Sequence, residues 1–214
     1  MPNRGKLFGT DGVRGIANAD LTPELALDLG RAFGASLRGN GKEPVVMVAR
    51  DTRTSGTMLA AAAAAGLCSA GVQVLDAGLL PTPGLHLLAK AHAYAGGVMI
   101  SASHNPPDFN GIKLFGSAGQ KLTPTEEREL EALVFAEEDL APRPGGEAIG
   151  TVQVARGASA EYVALLLQEL GPLDLGGLKV VLDCAYGAAF ATAPEAFRLA
   201  GAEATVLHLS LIHI

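Results

Sequence analysis

The sequence predicts an α/β fold with a sheet that is at least partly parallel, and three observations predict it. Short apolar runs of strand length alternate with longer segments of helical period. Thr-Pro or serine signals stand at the start of the helical segments. One strand is followed by a proline turn and a second strand instead of a helix, a hairpin-like return within a strand–helix repeat.

Thr22-Pro23-Glu24 opens the first helix with a hydroxyl N-cap, a proline at the first helical position and an acid near the positive end of the dipole. Leu25, Leu29, Phe33 and Leu37 recur every four residues and draw an apolar stripe that ends near Gly39. Residues 45–49 read as a strand, and Arg50-Asp51-Thr52-Arg53 as a polar loop. Ser55 then opens an alanine-rich helix ending near Gly71, followed by a strand over 72–76. Thr82-Pro83 repeats the capping device before a helix that runs to His92. A buried strand is expected over 95–100, a proline loop after it, and a strand over 112–115. Thr123-Pro124-Thr125-Glu126-Glu127 starts a further capped helix. Residues 137–150 are acidic and then rich in Pro and Gly without periodicity, so they read as a linker. Beyond it the pattern restarts, with helices over 160–170 and 188–200 and strands over 179–183 and 204–209. This divides the chain into a first domain, 1–150, and a second α/β unit, 151–214. One βαβ unit cannot cover both faces of a sheet, so that second unit is expected to be incomplete.

A 49% hydrophobic content against 18% charged residues supports a substantial core and argues against disorder. The net charge of −6, with no basic tract, argues against a nucleic-acid partner. Cys68 and Cys184 lie far apart in apolar or helical contexts and read as two reduced thiols of a cytoplasmic protein. Residues 1–6 lack the apolar core of a signal peptide. The alanine run 60–65 is too short to span a bilayer, which takes about 20 residues, so no membrane partner is expected. Residues 209–214 read either as a continuing edge strand or as a non-native tail matching one frame of a DNA-library adapter.

Four motifs carry chemistry. In Phe8-Gly9-Thr10-Asp11-Gly12-Val13-Arg14-Gly15 the glycines permit tight turns and close approach to a ligand, and Arg14 offers a forked cationic donor. The bland alternative is an N-terminal turn with an exposed arginine. Arg50-Asp51-Thr52-Arg53-Thr54-Ser55-Gly56 leads from a strand end into a helix; there Asp51 is expected to pair with an arginine, and the helix N-terminus favours phosphate. Asp183-Cys184-Ala185-Tyr186-Gly187-Ala188 reads as an ordinary strand-to-helix turn.

The most informative motif is Ser101-Ala102-Ser103-His104-Asn105-Pro106-Pro107, with Lys113 shortly after. Two hydroxyls sit where a buried strand runs out, the place where open α/β sheets put ligands. A hydrolase would need His104 as base, yet neighbours in an extended segment point to opposite sides, and no Gly-x-Ser-x-Gly elbow is present. No Walker loop occurs either. A proline-capped polar turn and a serine that carries a phosphoryl group both stay open. In the second case Lys113, backbone N–H groups and a metal would balance the added charge.

Together these motifs resemble the α-D-phosphohexomutase superfamily, and within it the members that act on glucosamine phosphate. The resemblance runs over residues 4–208 and rests on 9–15, 50–53, Pro81-Thr82-Pro83, 101–106, Asn110-Gly111-Ile112-Lys113 and Val181-Leu182-Asp183-Cys184-Ala185. It implies a three-layer first domain with a mixed β-sheet between helices, and a second α/β domain of which only part is present. It implies that Ser103 is the phosphoserine, with its phosphate oxygen ligating one Mg2+ per site. Arg14 and Lys113 would contact the transferring phosphoryl region, with His104 and Asn105 in the loop around it and Thr10 beside Arg14 in binding phosphate.

The implied reaction converts glucosamine 6-phosphate to glucosamine 1-phosphate, a cell-wall precursor, through a bound 1,6-bisphosphate. Glucose or glucosamine 1,6-bisphosphate would be the activator and a hexosamine phosphate the small-molecule partner; a homodimer stays open. Asp11 favours glucosamine phosphate over mannose or glucose phosphate, whose mutases often carry Ser or Ala there. Two departures stand out: Asp108-Phe109 precedes Asn110 where many relatives have Asp-Asn, and Tyr186 replaces a common asparagine. The superfamily's Asp-Gly-Asp-Gly-Asp-Arg metal loop and its later sugar- and phosphate-binding loops are expected beyond residue 214, so the chain by itself is expected to be inactive.

Overall fold

The computed structural model describes residues 6–38, 43–136 and 143–209. Its elements run β1 (Val13–Ile16), α1 (Pro23–Ser36), β2 (Val45–Arg50), α2 (Gly56–Ser69), β3 (Gln73–Leu79), α3 (Thr82–Ala91), β4 (Gly96–Ile100), β5 (Phe109–Phe115), α4 (Pro124–Val134), β6 (Val152–Val154), α5 (Ala158–Leu170), β7 (Lys179–Asp183), α6 (Thr192–Leu199) and β8 (Glu203–Leu207). The first six strands form one sheet in the order β1-β5-β4-β2-β3-β6. β4, β2, β3 and β6 are parallel neighbours, whereas β5 runs antiparallel to both β4 and β1.

Alternation along the central strands builds two cores. Val46, Val48, Val98 and Ile100 face Leu29 and Phe33 of α1, Leu59 and Leu67 of α2, and Leu130 of α4. Met47, Ala49, Met99 and Phe115 face Leu85 and Leu88 of α3 and Tyr162 of α5. The sheet is therefore sandwiched between helices, the three-layer arrangement expected, and its central strands are apolar on both faces for that reason.

Local signals account for most helices. Thr22 Oγ1 accepts from the Leu25 N–H at 3.3 Å, and Thr123 with Glu126 forms a reciprocal capping box before α4. Two expected caps fail. Pro81, not Thr82, is the N-cap of α3, and Thr82 lies inside the helix with no capping bond. Ser55 precedes α2 without capping it, because its Oγ accepts from Asn110 Nδ2 at 2.9 Å. α2 is alanine-rich because it lies against α1 nearly backbone to backbone: a Cβ on Gly66 would meet Leu27 O at 2.1 Å.

β1 and β6 carry no strand signal of their own; each exists by pairing, Val13 opposite Ile112 and Val74 opposite Val152. β5 begins three residues before the expected 112. Within the described part of the linker, Gly146–Ala148 forms a short 3-10 turn. The first sheet does not end at residue 150, since β6 extends it and Ala158 and Tyr162 of α5 sit in the α3-side core. Further on, β7 and β8 pair in parallel, and the helix expected over 188–200 is split into a 3-10 turn, Ala188–Phe190, and α6. Val181 of β7 remains 67% exposed. β8 ends at Leu207, and the two readings of the tail from residue 210 onward lie outside the described residues. No helix among the described residues is long and apolar enough to cross a membrane, and Cys68 and Cys184 are both free.

Candidate active site

The parallel strands β2 and β4 end side by side, Arg50 opposite Ile100, so the loops 51–55 and 101–108 leave the same edge of the sheet. Asp51 N–H donates to Ile100 O at 3.0 Å and joins them at their roots. Ser101 is 5% exposed; its hydroxyl donates to Asp51 Oδ2 at 2.7 Å and accepts from the Ser103 N–H at 3.1 Å. Ser103 is exposed and left-handed, with φ 58°. That conformation is uncommon for a residue with a Cβ. Of the two serines, only Ser103 can meet a substrate, because the other hydroxyl is engaged below the surface.

The left-handed turn also corrects the expectation that Ser103 and His104 diverge. The premise of an extended segment fails, and Ser103 Oγ lies 3.4 Å from His104 Nδ1. This contact is long for a hydrogen bond to a hydroxyl. No described carboxylate bonds the other ring nitrogen, so the orienting acid of a hydrolase triad is missing among the described residues.

Arg53 ties the loop down. Its Nε donates to Asp51 Oδ2 at 3.1 Å, in an ion pair that matches the expected role of Asp51. Nη1 donates to the carbonyls of Pro106 at 2.6 Å and Phe109 at 2.8 Å, and Nη2 to those of Ser103 at 3.0 Å and Asn105 at 2.7 Å. Asn105 thus enters the site through its backbone carbonyl.

On the flanking strands, Asp11 gathers three cations. Its Oδ2 lies 2.7 Å from Lys113 Nζ and 2.5 Å from Arg14 Nη2, and its Oδ1 pairs with Lys121. Burial pushes the Asp11 carboxyl upward, but hydrogen bonds and charge from Lys113 and Lys121 outweigh it and hold the group well below the usual carboxylate range. Lys113 itself is only 9% exposed, so its ammonium relies on that partner. Three cations against one carboxylate leave the cluster net positive. It borders a cavity of about 420 Å³ whose wall includes Thr10, Asp11, Gly12 and Arg14, with Thr10 exposed.

Two glycines allow β1, β5 and the serine loop to approach. A Cβ on Gly12 would meet Ile112 O at 2.4 Å, and one on Gly111 would meet Ser101 O at 2.7 Å. The structure therefore brings the expected residues together as two adjoining groups, Ser103-His104-Asn105 and Thr10-Arg14-Lys113. They are joined through backbone, Ser101 N–H to Gly111 O at 2.9 Å. Arg14 and Lys113 bond to Asp11, and among the described residues neither bonds to Ser103.

A family model described as phosphoglucomutase/phosphomannomutase, alpha/beta/alpha domain I, matches residues 5–141. The chain belongs to the phosphoglucomutase/phosphomannomutase family. A phosphoglucosamine mutase from Moorella thermoacetica is 52% identical over 204 residues, 95% of this chain and 46% of its own length. Another, from Pelotomaculum thermopropionicum, is 49% identical over 93% of this chain and 44% of its own. A crystal structure of a phosphoglucomutase/phosphomannomutase family protein from Burkholderia thailandensis superposes with a TM-score of 0.81 at 30% identity, over 98% of this chain and 45% of that one. The chain thus spans just under half the length of these relatives.

In this family member, sequence reasoning missed Arg53 and Lys121 as site residues. Arg53 was visible only as a member of the 50–56 motif and as one of the arginines that could pair with Asp51, and the helix N-terminus beside it has its hydroxyl turned to Asn110. The turn after β7 also differs from the ordinary one expected: Ala185 and Tyr186 are both left-handed, with φ 44° and 55°. Asp183 Oδ1 accepts from Ala185 N–H at 2.9 Å and contacts His208 Nδ1 at 3.0 Å, and Tyr186 O accepts from Thr52 Oγ1 at 2.5 Å. The Asp183 carboxyl is lowered, first by that backbone hydrogen bond and then by His208.

Proposed function

We propose that this chain carries the phosphoryl-transfer serine of a phosphoglucosamine mutase, with Ser103 as the phosphoserine. The observation that carries this reading is an exposed, left-handed Ser103 on a fastened loop, beside a net-positive cluster built on Arg14 and Lys113. In the forward half-reaction the Ser103 phosphoryl group passes to the 1-hydroxyl of glucosamine 6-phosphate. The Oγ–P bond breaks, a sugar O–P bond forms, and the hydroxyl proton ends on Oγ. The bound 1,6-bisphosphate then turns over and returns its 6-phosphoryl group to Ser103, releasing glucosamine 1-phosphate for cell-wall precursor synthesis. Phosphoryl transfer depends mainly on positioning and charge stabilisation, which suits Arg14 and Lys113 as the groups facing the moving phosphoryl and Thr10 as a neighbouring donor. His104 sits beside Oγ as a polar neighbour, and Asn105 holds the loop.

Mg2+, when bound, would neutralise phosphate charge. Among the described residues no group of three His, Cys, Asp or Glu is arranged to hold a metal ion, and this stretch offers only the phosphate on Ser103. The 214-residue chain alone is accordingly proposed to be without turnover.

The test is phosphopeptide mass spectrometry on the full-length enzyme after incubation with glucose or glucosamine 1,6-bisphosphate. The label is expected on Ser103, and Ser103→Ala is expected to remove turnover of glucosamine 6-phosphate. A label on Ser101, or none, overturns the assignment; preferred turnover of mannose or glucose phosphate overturns the substrate.

A further inference from the structure

We infer that Arg53 is the positioning residue of the phosphoryl-transfer loop, with Asp51 and Ser101 as its fixed base. This rests on the reading of Ser103 as phosphoryl carrier. A guanidinium has five N–H donors. Here one goes to Asp51 and four go to the carbonyls of Ser103, Asn105, Pro106 and Phe109, so none is left over for a substrate. Arg53 therefore differs in kind from Arg14, whose cluster faces a cavity.

The loop needs such a clamp. Pro106 and Pro107 contribute no N–H, so the four guanidinium bonds add to a sparse set of backbone bonds within the loop, Asn105 N–H to Ala102 O at 3.2 Å and Phe109 N–H to Pro106 O at 3.1 Å. Ser103 is left-handed, a conformation that persists in a residue with a Cβ only where its surroundings hold it. Arg53 holds Ser103 from its carbonyl side, and Ser101 Oγ holds it from its N–H side. Both anchors converge on Asp51 Oδ2, which accepts from Arg53 Nε and from Ser101 Oγ. Loss of either anchor lets Ser103 relax and carries Oγ away from its line of attack. A misplacement of about 1 Å costs about 100-fold in rate.

Lysine retains the charge of Arg53 but has three donors in place of five, without the fork that reaches four carbonyls. The experiment uses the full-length enzyme with Arg53→Lys and Ser101→Ala. It reads the single-turnover rate of Ser103 phosphorylation by glucose 1,6-bisphosphate, in which the sugar O–P bond breaks, Oγ–P forms, and the Ser103 proton passes to the sugar oxygen. Steady-state kcat, KM and the thermal midpoint are measured alongside. Arg53→Lys is expected to slow phosphorylation and kcat about 100-fold, with KM unchanged and the label still on Ser103. Ser101→Ala removes the bond to Asp51 and the bond from the Ser103 N–H; with the Arg53 anchor still in place it is expected to slow both about tenfold. Wild-type phosphorylation rates in both variants, or losses that merely track the unfolded fraction, overturn the proposal. Persistence of the label in Ser103→Ala would instead overturn the carrier assignment beneath it.

Discussion

Gly12→Ala tests the packing of the site, with Gly9→Ala as its matched control in the same turn. Gly12 has φ +83°, where a residue with a Cβ is disfavoured by about 1–2 kcal/mol. Its Cβ would also lie 2.4 Å from Ile112 O and 3.2 Å from Lys113 Cα, both rigid backbone atoms. Ordinary contact begins near 3.4 Å, so β1 must move off β5 by roughly 1 Å, and such overpacking costs about 1–3 kcal/mol. The two effects share a sign and total about 3.5 kcal/mol at mid-range. In a chain of this size that lowers the thermal midpoint by about 7–14 °C. The same shift displaces Arg14, which stands two residues along β1 opposite Gly111, so kcat in the full-length enzyme should fall as well. At Gly9 the nearest atom to an added Cβ is Gly12 O at 3.5 Å, an ordinary contact, so alanine there should change stability by less than about 0.5 kcal/mol. Differential scanning calorimetry of both variants decides the matter. Equal midpoints would refute the reasoning, because they would mean that β1 accommodates a side chain at Gly12 without moving.

Two further predictions accompany it. The depressed Asp11 carboxyl stabilises the folded state in its ionised form, fully above the unfolded value of about 3.9 and progressively less as pH falls below it. Asp11→Asn should therefore flatten the loss of stability between about pH 5 and pH 2 in urea titrations, and an unaltered slope would count against the Lys113–Asp11–Lys121 arrangement. Gly66→Ala gains about 1 kcal/mol of helix propensity, yet its Cβ would sit 2.1 Å from Leu27 O and force α1 and α2 apart. Overpacking of a rigid backbone pair outweighs that gain, so the urea midpoint should fall; a rise would show that propensity wins.

Helices α1 and α4 and strands β2 and β4 were legible because their signals are local. A cap, a proline and an apolar period act within a few residues, and a strand buried on both faces must be apolar throughout. The Thr82 cap misled for the same reason: the motif was right in type, but the chain entered α3 one residue earlier, at Pro81. The serine loop was equally legible as a site, since two prolines after a buried strand demand a turn at a sheet edge.

What the sequence by itself determined, then, is the layered α/β plan, the family resemblance and the place of the serine loop at a sheet edge. Tertiary structure alone decided which partners those residues have. β1 and β6 are strands only because distant strands present unpaired backbone to them. Arg53 is a clamp only because folding brings carbonyls some 50 residues away into reach of its fork. Arg14 and Lys113 bond to Asp11, and Ser101 turns inward while Ser103 turns out, through the closure of β2, β4 and β5 at one edge. Hydrogen bonds and ion pairs are set by position in space, and residues far apart in the chain acquire that position only when the sheet closes.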